Sequence, residues 1–266
     1  MEQLRMLTLG LALFTALAGL VLSAKSASAQ DIMPTWAKWA FDLTVNGGHM
    51  DGQWHVTVGG EDKAGDPVAL HTETFHIPCR TVGDVKADGS VLQFAGGHVE
   101  CDFPDLIATA NAIIADKWGK QYMLNVGGDC ECAPIKLGYA TIDATPAEEG
   151  TNPVFHHPDI AAALHVDKTG VRSRFRFAQE QAEGVGVPLN QNATLTSRYY
   201  CDRSHGACFF EHLADGAMLK QEKRVFVPAN FITGAVTVQI GHDPQSGASF
   251  TGTVRTLSVD PGCRVN

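Results

Sequence analysis

Beyond Leu22 the chain has no apolar run approaching the ~20 residues that a helix needs to cross a bilayer, so no later segment predicts a membrane span. Basic residues are also scarce: 20 Lys and Arg stand against 29 Asp and Glu, a formal charge of −9. Nucleic acid and anionic membrane surfaces both demand a basic footprint, and neither is an expected partner. Signatures of chemistry are missing as well. There is no Gly-x-Ser-x-Gly nucleophile elbow, no phosphate-cradling P-loop, no His-Glu-x-x-His helix, no dinucleotide fingerprint and no haem-attachment motif. Acidic residues are plentiful, but no pair is singled out for glycoside hydrolysis. These absences lower the expectation of an enzyme without removing it.

What is present begins with a leader. Arg5 precedes an apolar run from Met6 to Leu22, and Ala27-Ser28-Ala29 supplies a small-x-small cleavage signal before Gln30. That is the layout of a secretory signal peptide over residues 1–29. No cysteine lies near the cut to carry a lipid. The expected mature protein is soluble, without membrane insertion, and secreted or periplasmic. Its charge is more negative still, because Arg5 and Lys25 of the leader outweigh Glu2.

Export makes the seven cysteines readable as disulfide chemistry. Cys201 and Cys208 enclose a polar loop between two β-prone runs, which makes them the safest pair. Cys79 and Cys101 flank another hairpin-like stretch. Cys130 and Cys132 alternate around Glu131; one of them is expected to bond Cys263, and the other is left over, free or intermolecular.

Short β-type runs dominate, broken by turn residues about every 8–14 positions. They include Phe41–Val45, Trp54–Val58, Val68–Ile77, Val91–Phe94, Tyr122–Val126, Val171–Phe177 and Ser249–Val259. Four of the runs in the N-terminal half end in Gly-Gly, at 47–48, 59–60, 96–97 and 127–128, read here as tight corners. One helix is predicted over about 104–118, from Pro104 through Leu106, Ile107, Ala110, Ile113, Ile114 and Trp118, with Gly119 as the stop. The expected fold is mainly β: an antiparallel β-sandwich-like domain or domains with one covering amphipathic helix, braced by disulfides. Residues 146–158, holding Pro146, Pro153 and Pro158, read as a linker or long loop between β-rich domains over 30–145 and 159–266. Gly241–Gly247 reads as a hairpin loop.

Two constellations stand out. His71 and Glu73 alternate in one expected strand and His98 and Glu100 in another; were the strands neighbours, two imidazoles and two carboxylates would converge as a divalent-metal site. No cofactor is otherwise expected. Arg172, Arg174 and Arg176 alternate with Ser173, Phe175 and Phe177, so three guanidinium groups share one face, suited to carboxylates or sulfated sugars. The bland alternative is cross-strand pairing with Asp or Glu. His205, inside the Cys201–Cys208 loop, is a further contact candidate. His156 and His157, with Asp159 or His165, form a second His cluster, and Asn192-Ala193-Thr194 is a glycosylation sequon.

Two family resemblances are local. Gly65-x5-His71-x-Glu73-x2-His76-x6-Gly83 resembles a first cupin motif, with Glu73 where cupins carry their second histidine, and no second cupin motif follows. Gln239-Ile240-Gly241 and Phe250-Thr251-Gly252-Thr253-Val254 resemble the last strands of laminin-G-like sandwiches over fewer than 30 residues. Neither assigns the chain to a family. The expected function is a non-catalytic secreted or periplasmic protein that binds a glycan, an envelope surface or a protein partner. The alternatives are a metal-dependent enzyme using the His/Glu set, or a structural envelope component joined by an intermolecular disulfide.

Overall fold

Alternation decides the architecture. From Trp39 to Val45 every second side chain is apolar, and in the computed structural model Trp39, Phe41, Leu43 and Val45 are buried while Ala40, Asp42 and Thr44 face outward. The structure describes residues 32–125, 130–132, 138–177, 179–188, 192–202, 207–224 and 232–265, with backbone alone for 130–132, 201, 202, 263 and 265. The expected leader and His205 lie outside the described residues.

The chain opens with β1 (Trp36–Asn46), β2 (His49–Glu61), β3 (Pro67–Ile77), β4 (Cys79–Val82), β5 (Val85–Asp88), β6 (Val91–Ala95) and β7 (His98–Phe103). Helix α1 (Leu106–Lys117) follows, then β8 (Cys130–Cys132), β9 (Gly138–Pro146), β10 (Gly150–His157), β11 (Ile160–Asp167), β12 (Gly170–Phe177) and β13 (Glu180–Glu183). The remainder is β14 (Leu195–Asp202), β15 (Ala207–Ala214), β16 (Ala217–Arg224), β17 (Val236–Ile240), β18 (His242–Asp243), β19 (Ala248–Ser249), β20 (Thr251–Asp260) and β21 (Cys263–Val265).

Apart from the two-stranded β18–β19 hairpin, these strands build two antiparallel sheets. The first runs β16-β15-β14-β9-β20-β1-β2-β3, with β6 also on β20 and β21 on β1; the second runs β13-β12-β11-β10-β17-β7-β4. Their inner faces meet through aromatic rings. Phe103 of the second sheet lies 5.2 Å from Trp39, 5.1 Å from Phe41 and 6.1 Å from Trp54 of the first, centroid to centroid. At the far end, β16 closes the gap by side chain: Lys220 Nζ donates to the Glu183 carbonyl at 2.7 Å and Arg224 Nη2 to that of Gln181 at 3.3 Å.

Helix α1 packs against β1 and β2 and buries Leu106, Ile107, Ala110, Ile113 and Ile114, the stripe the spacing predicts. Asp105 caps it by accepting from Ala108 N–H, so Pro104 sits just outside the first turn rather than within it. Over its described residues, 122–125, the expected Tyr122–Val126 strand does not form: Lys120–Tyr122 is a 3₁₀ turn, and Leu124 is held by both amide atoms of Asn111.

The stretch 146–158 is not a linker. Gly150–His157 is a strand of the second sheet with six consecutive buried residues, and Pro34–Asn266 clusters as one unit. Pro153 is tolerated because the β10–β11 register shifts there, where a missing N–H costs no ladder bond. Gly59-Gly60 is not a corner either: β2 runs through it to Glu61, and a Cβ at Gly59 would sit 1.9 Å from the Trp36 ring.

Cys79 and Cys101 are directly opposed on β4 and β7 and form the expected disulfide. Cys208 is also disulfide-bonded, and the backbone position facing it is Cys201. Cys132 faces Cys263 across β8 and β21. The Cys79–Cys101 bridge closes a separation of 22 residues, for which restriction of the unfolded chain gives about 3 kcal/mol. Replacing both residues with alanine is expected to lower stability by about that amount in urea titrations; an unchanged midpoint would show that the bridge restrains nothing.

Candidate functional site

The alternation of Arg172, Arg174 and Arg176 with Ser173, Phe175 and Phe177 is realised on β12. The phenylalanines are buried, and the guanidinium groups lie on the outer face of the second sheet. Cross-strand register then sets their neighbours. Arg176 faces Ala161 and Arg174 faces Ala163 on β11, and beyond Ala161 stands His156 on β10. The smallest side chains thus lie between longer ones, about two strand spacings, or ~10 Å, apart. The result is a groove of ≈ 200 Å³ floored by Ala161 and Ala163 and walled by Thr151, His156, Arg174, Arg176 and Gln181.

Asp243 and Gln245, from the β18–β19 hairpin folded over β10, supply the remaining wall. The hairpin leaves the sheet at Gly241, whose φ of +84° and close approach to Phe94 (2.6 Å from a would-be Cβ) both demand glycine. Phe250 closes the base, fully buried and edge-on to Phe94. On the sheet side the hairpin is seated by His242, whose ring stacks on His98 at 5.1 Å, and by Asp243, 3.4 Å from His156 Nδ1.

The arginine ladder is largely consumed by pairing. Arg172 is bonded to Asp167 and lies 3.7 Å from Glu183; Arg174 Nε is 3.3 Å from Glu183 and its Nη1 donates to Thr151 Oγ1 at 3.0 Å. Arg176 is half-buried and donates to the carbonyls of Pro158 (2.9 Å) and His157 (3.2 Å); burial lowers its pKa, against the pull of Asp159 and Asp243. Burial likewise pushes His156 below the ordinary histidine value, with Asp243 opposing, so the imidazole is neutral near pH 7. A neutral ring is both donor and acceptor.

His156 and His157 do not act together. They are consecutive on a strand, so His156 reaches the groove and His157 points into the core, its ring 5.5 Å from Trp39. Asp159 accepts from Ile232 N–H at 2.7 Å, and His165 lies 3.2 Å from Thr151 Oγ1. Asn192 is exposed beside a cavity of ≈ 50 Å³ lined by Pro146, Val171, Val187 and Leu195.

The His/Glu set does not converge. β3 and β7 are in different sheets, because the chain crosses over at Pro78 between Ile77 and Cys79; the disulfide therefore ties β4, not β3, to β7. His71 lies 3.7 Å from Glu73 and His98 3.3 Å from Glu100, each unit closing on itself, and Glu100 is also paired with Arg80 at 2.7 Å. Among the described residues no three His, Cys, Asp or Glu side chains are grouped to hold a metal ion.

A second polar cluster lies between the sheets. His212 is 1 % exposed, with Ser173 and Ser197 hydroxyls 2.9 and 3.0 Å from Nδ1 and Ser197 donating to Ser173. Its Nε2 has no hydrogen-bond partner among the described residues. Serine and histidine within reach suggest a nucleophile, but both serines are also buried, and the groove lies on the opposite face of β12.

Sequence patterning finds the arginines and misses Ala161, Ala163, Gln181, Asp243 and Gln245. The available signal was the run Ile160-Ala161-Ala162-Ala163-Leu164, whose outward positions are filled by the smallest side chain. No known protein family matches the chain, and no curated protein matches it either. No described helix is long and apolar enough to cross a membrane.

Proposed function

We propose that this is an exported, non-catalytic β-sandwich protein that binds a glycan in the groove on the outer face of β10–β12. The carrying observation is the mixture of planar polar groups, two guanidinium groups, an imidazole, a carboxylate and two amides, around an alanine floor. Planar groups match pairs of adjacent hydroxyls, and methyl groups suit the C–H face of a sugar ring. The volume falls below the ~300–1,000 Å³ of pockets for drug-sized ligands, which suits one or two sugar units of a longer chain entering an open groove. Export rests on the leader pattern, and the Cys79–Cys101 disulfide accords with an oxidising compartment.

Calorimetric titration of the exported protein with a panel of oligosaccharides tests the reading. Arg174→Ala with Arg176→Ala is expected to weaken binding at least about tenfold, close to 1.4 kcal/mol. Ala163→Phe, which fills the groove and leaves every charge in place, should do the same with an unchanged unfolding midpoint. Equal affinity of all three proteins would place binding elsewhere.

A further inference from the structure

Three guanidinium groups on one strand suggest an anionic guest, yet their charge is already answered. Arg172 is paired with Asp167, Arg174 lies against Glu183, and Arg176 sits in the field of Asp159 and Asp243. Four carboxylates therefore answer the three cations of the strand, and of the four only Asp243 lines the groove. The nearby imidazole of His156 adds no charge near pH 7, because burial holds it neutral.

Asp243 decides what remains. Partial burial works against its charge, but Ser246 Oγ–H at 2.6 Å, Gln245 N–H at 3.0 Å and the adjacent His156 outweigh it, so the carboxyl stays below its usual pKa. The turn thus fixes an ionised acceptor on the hairpin wall, facing Arg174 and Arg176 across the alanines. Gln181 and Gln245 add uncharged donors and acceptors.

We propose, on the glycan reading above, that the groove selects an uncharged sugar and rejects its uronic-acid and sulfated counterparts, with the Asp243 carboxylate as the specificity-determining group. A carboxylate accepts from two adjacent hydroxyls at once. Arg174 and Arg176 donate to ring and hydroxyl oxygens while Arg174 keeps Glu183 and Arg176 keeps its two carbonyl partners. An anionic sugar instead brings a like charge toward Asp243 and finds the neighbouring guanidinium groups already paired. Discrimination by repulsion needs no additional contact with the favoured ligand.

The test is titration of the exported protein, at neutral pH and low salt, with trisaccharides of glucose, mannose, galactose and N-acetylglucosamine and with trigalacturonate. At least one neutral probe is expected to bind at least about tenfold more tightly than trigalacturonate, with an affinity that added salt leaves unchanged. Asp243→Asn should narrow that ratio at least about tenfold by admitting the uronate. Tighter binding of trigalacturonate by the unmodified protein overturns the charge assignment while leaving the glycan reading standing. Binding of none of the probes overturns both. The ratio in the unmodified protein decides the matter even if Asp243→Asn does not fold.

Discussion

Acidification from pH 7 to pH 4 is expected to remove several kcal/mol of folding stability, because two interior histidines must stay neutral for the sheets to remain packed. Burial, then the neighbouring charges of His156 and Arg176, lowers the pKa of His157 to about 3. Burial, then Lys220, lowers His212 to about 4, with Glu222 and Glu183 opposing. In the unfolded chain both return to about 6.5. Between folded and unfolded values the unfolded chain binds more protons, so stability is complete above pH ~6.5 and falls as pH decreases. His212 stops contributing to the slope near pH 4 and His157 near pH 3. At 1.36 kcal/mol per unit the full losses are roughly 3 and 5 kcal/mol, against total stabilities of about 5–15. Urea midpoints at a series of pH values read this directly. His157→Phe keeps a ring beside Trp39 and removes one of the two proton sites; it should be less stable at neutral pH, because Asp159 N–H loses its acceptor, yet lose only about half as much stability between about pH 6.5 and pH 4, where His212 alone still responds. An unaltered pH slope in that variant would assign the sensitivity to other groups.

Truncation of Phe103 to alanine should be among the most damaging single changes in the protein. Its ring is 3 % exposed and contacts Trp39, Phe41 and Trp54, so one side chain carries much of the junction between the sheets near β7. Loss of transfer energy plus the cavity left in a rigid aromatic cluster costs about 3–5 kcal/mol, and the melting temperature should fall by roughly 10 °C for a chain of this size. Met218→Ala, at an edge-strand position 50 % exposed, is the matched control and should stay within about 0.5 kcal/mol. A small effect at Phe103 would mean that the cluster relaxes around the gap, contrary to a tightly packed inter-sheet core.

Much of the architecture was legible because period-2 patterning is a local property. β1, β12 and β20 advertise themselves, α1 is marked by its apolar stripe, and the Cys79–Cys101 pair follows from the hairpin-like stretch it flanks. What failed depended on partners distant in sequence. Prolines around β10 read as a break, yet Pro153 falls where the register slips. Gly59 reads as a corner but is glycine to admit the Trp36 ring. The His71/Glu73 and His98/Glu100 units were sound as local geometry and were separated by one sheet crossing at Pro78. Of the groove, the shared outward face of the three arginines was legible as geometry, their pairing with Glu183 and Asp167 was the alternative weighed against a binding role, and the Asp243 wall required the hairpin to fold back across the sheet.

The placement of β20 reaches beyond packing. This near-terminal strand lies inside the first sheet, with β9 on one side and β1 and β6 on the other. Until residues 251–260 have emerged, the two halves of that sheet have nothing to join them, and the barrier is set by a long chain closure rather than by local hairpins. A chain lacking residues 251–260 would therefore keep its hairpins while losing the span between β9 and β1, so β20 works as the keystone of the first sheet.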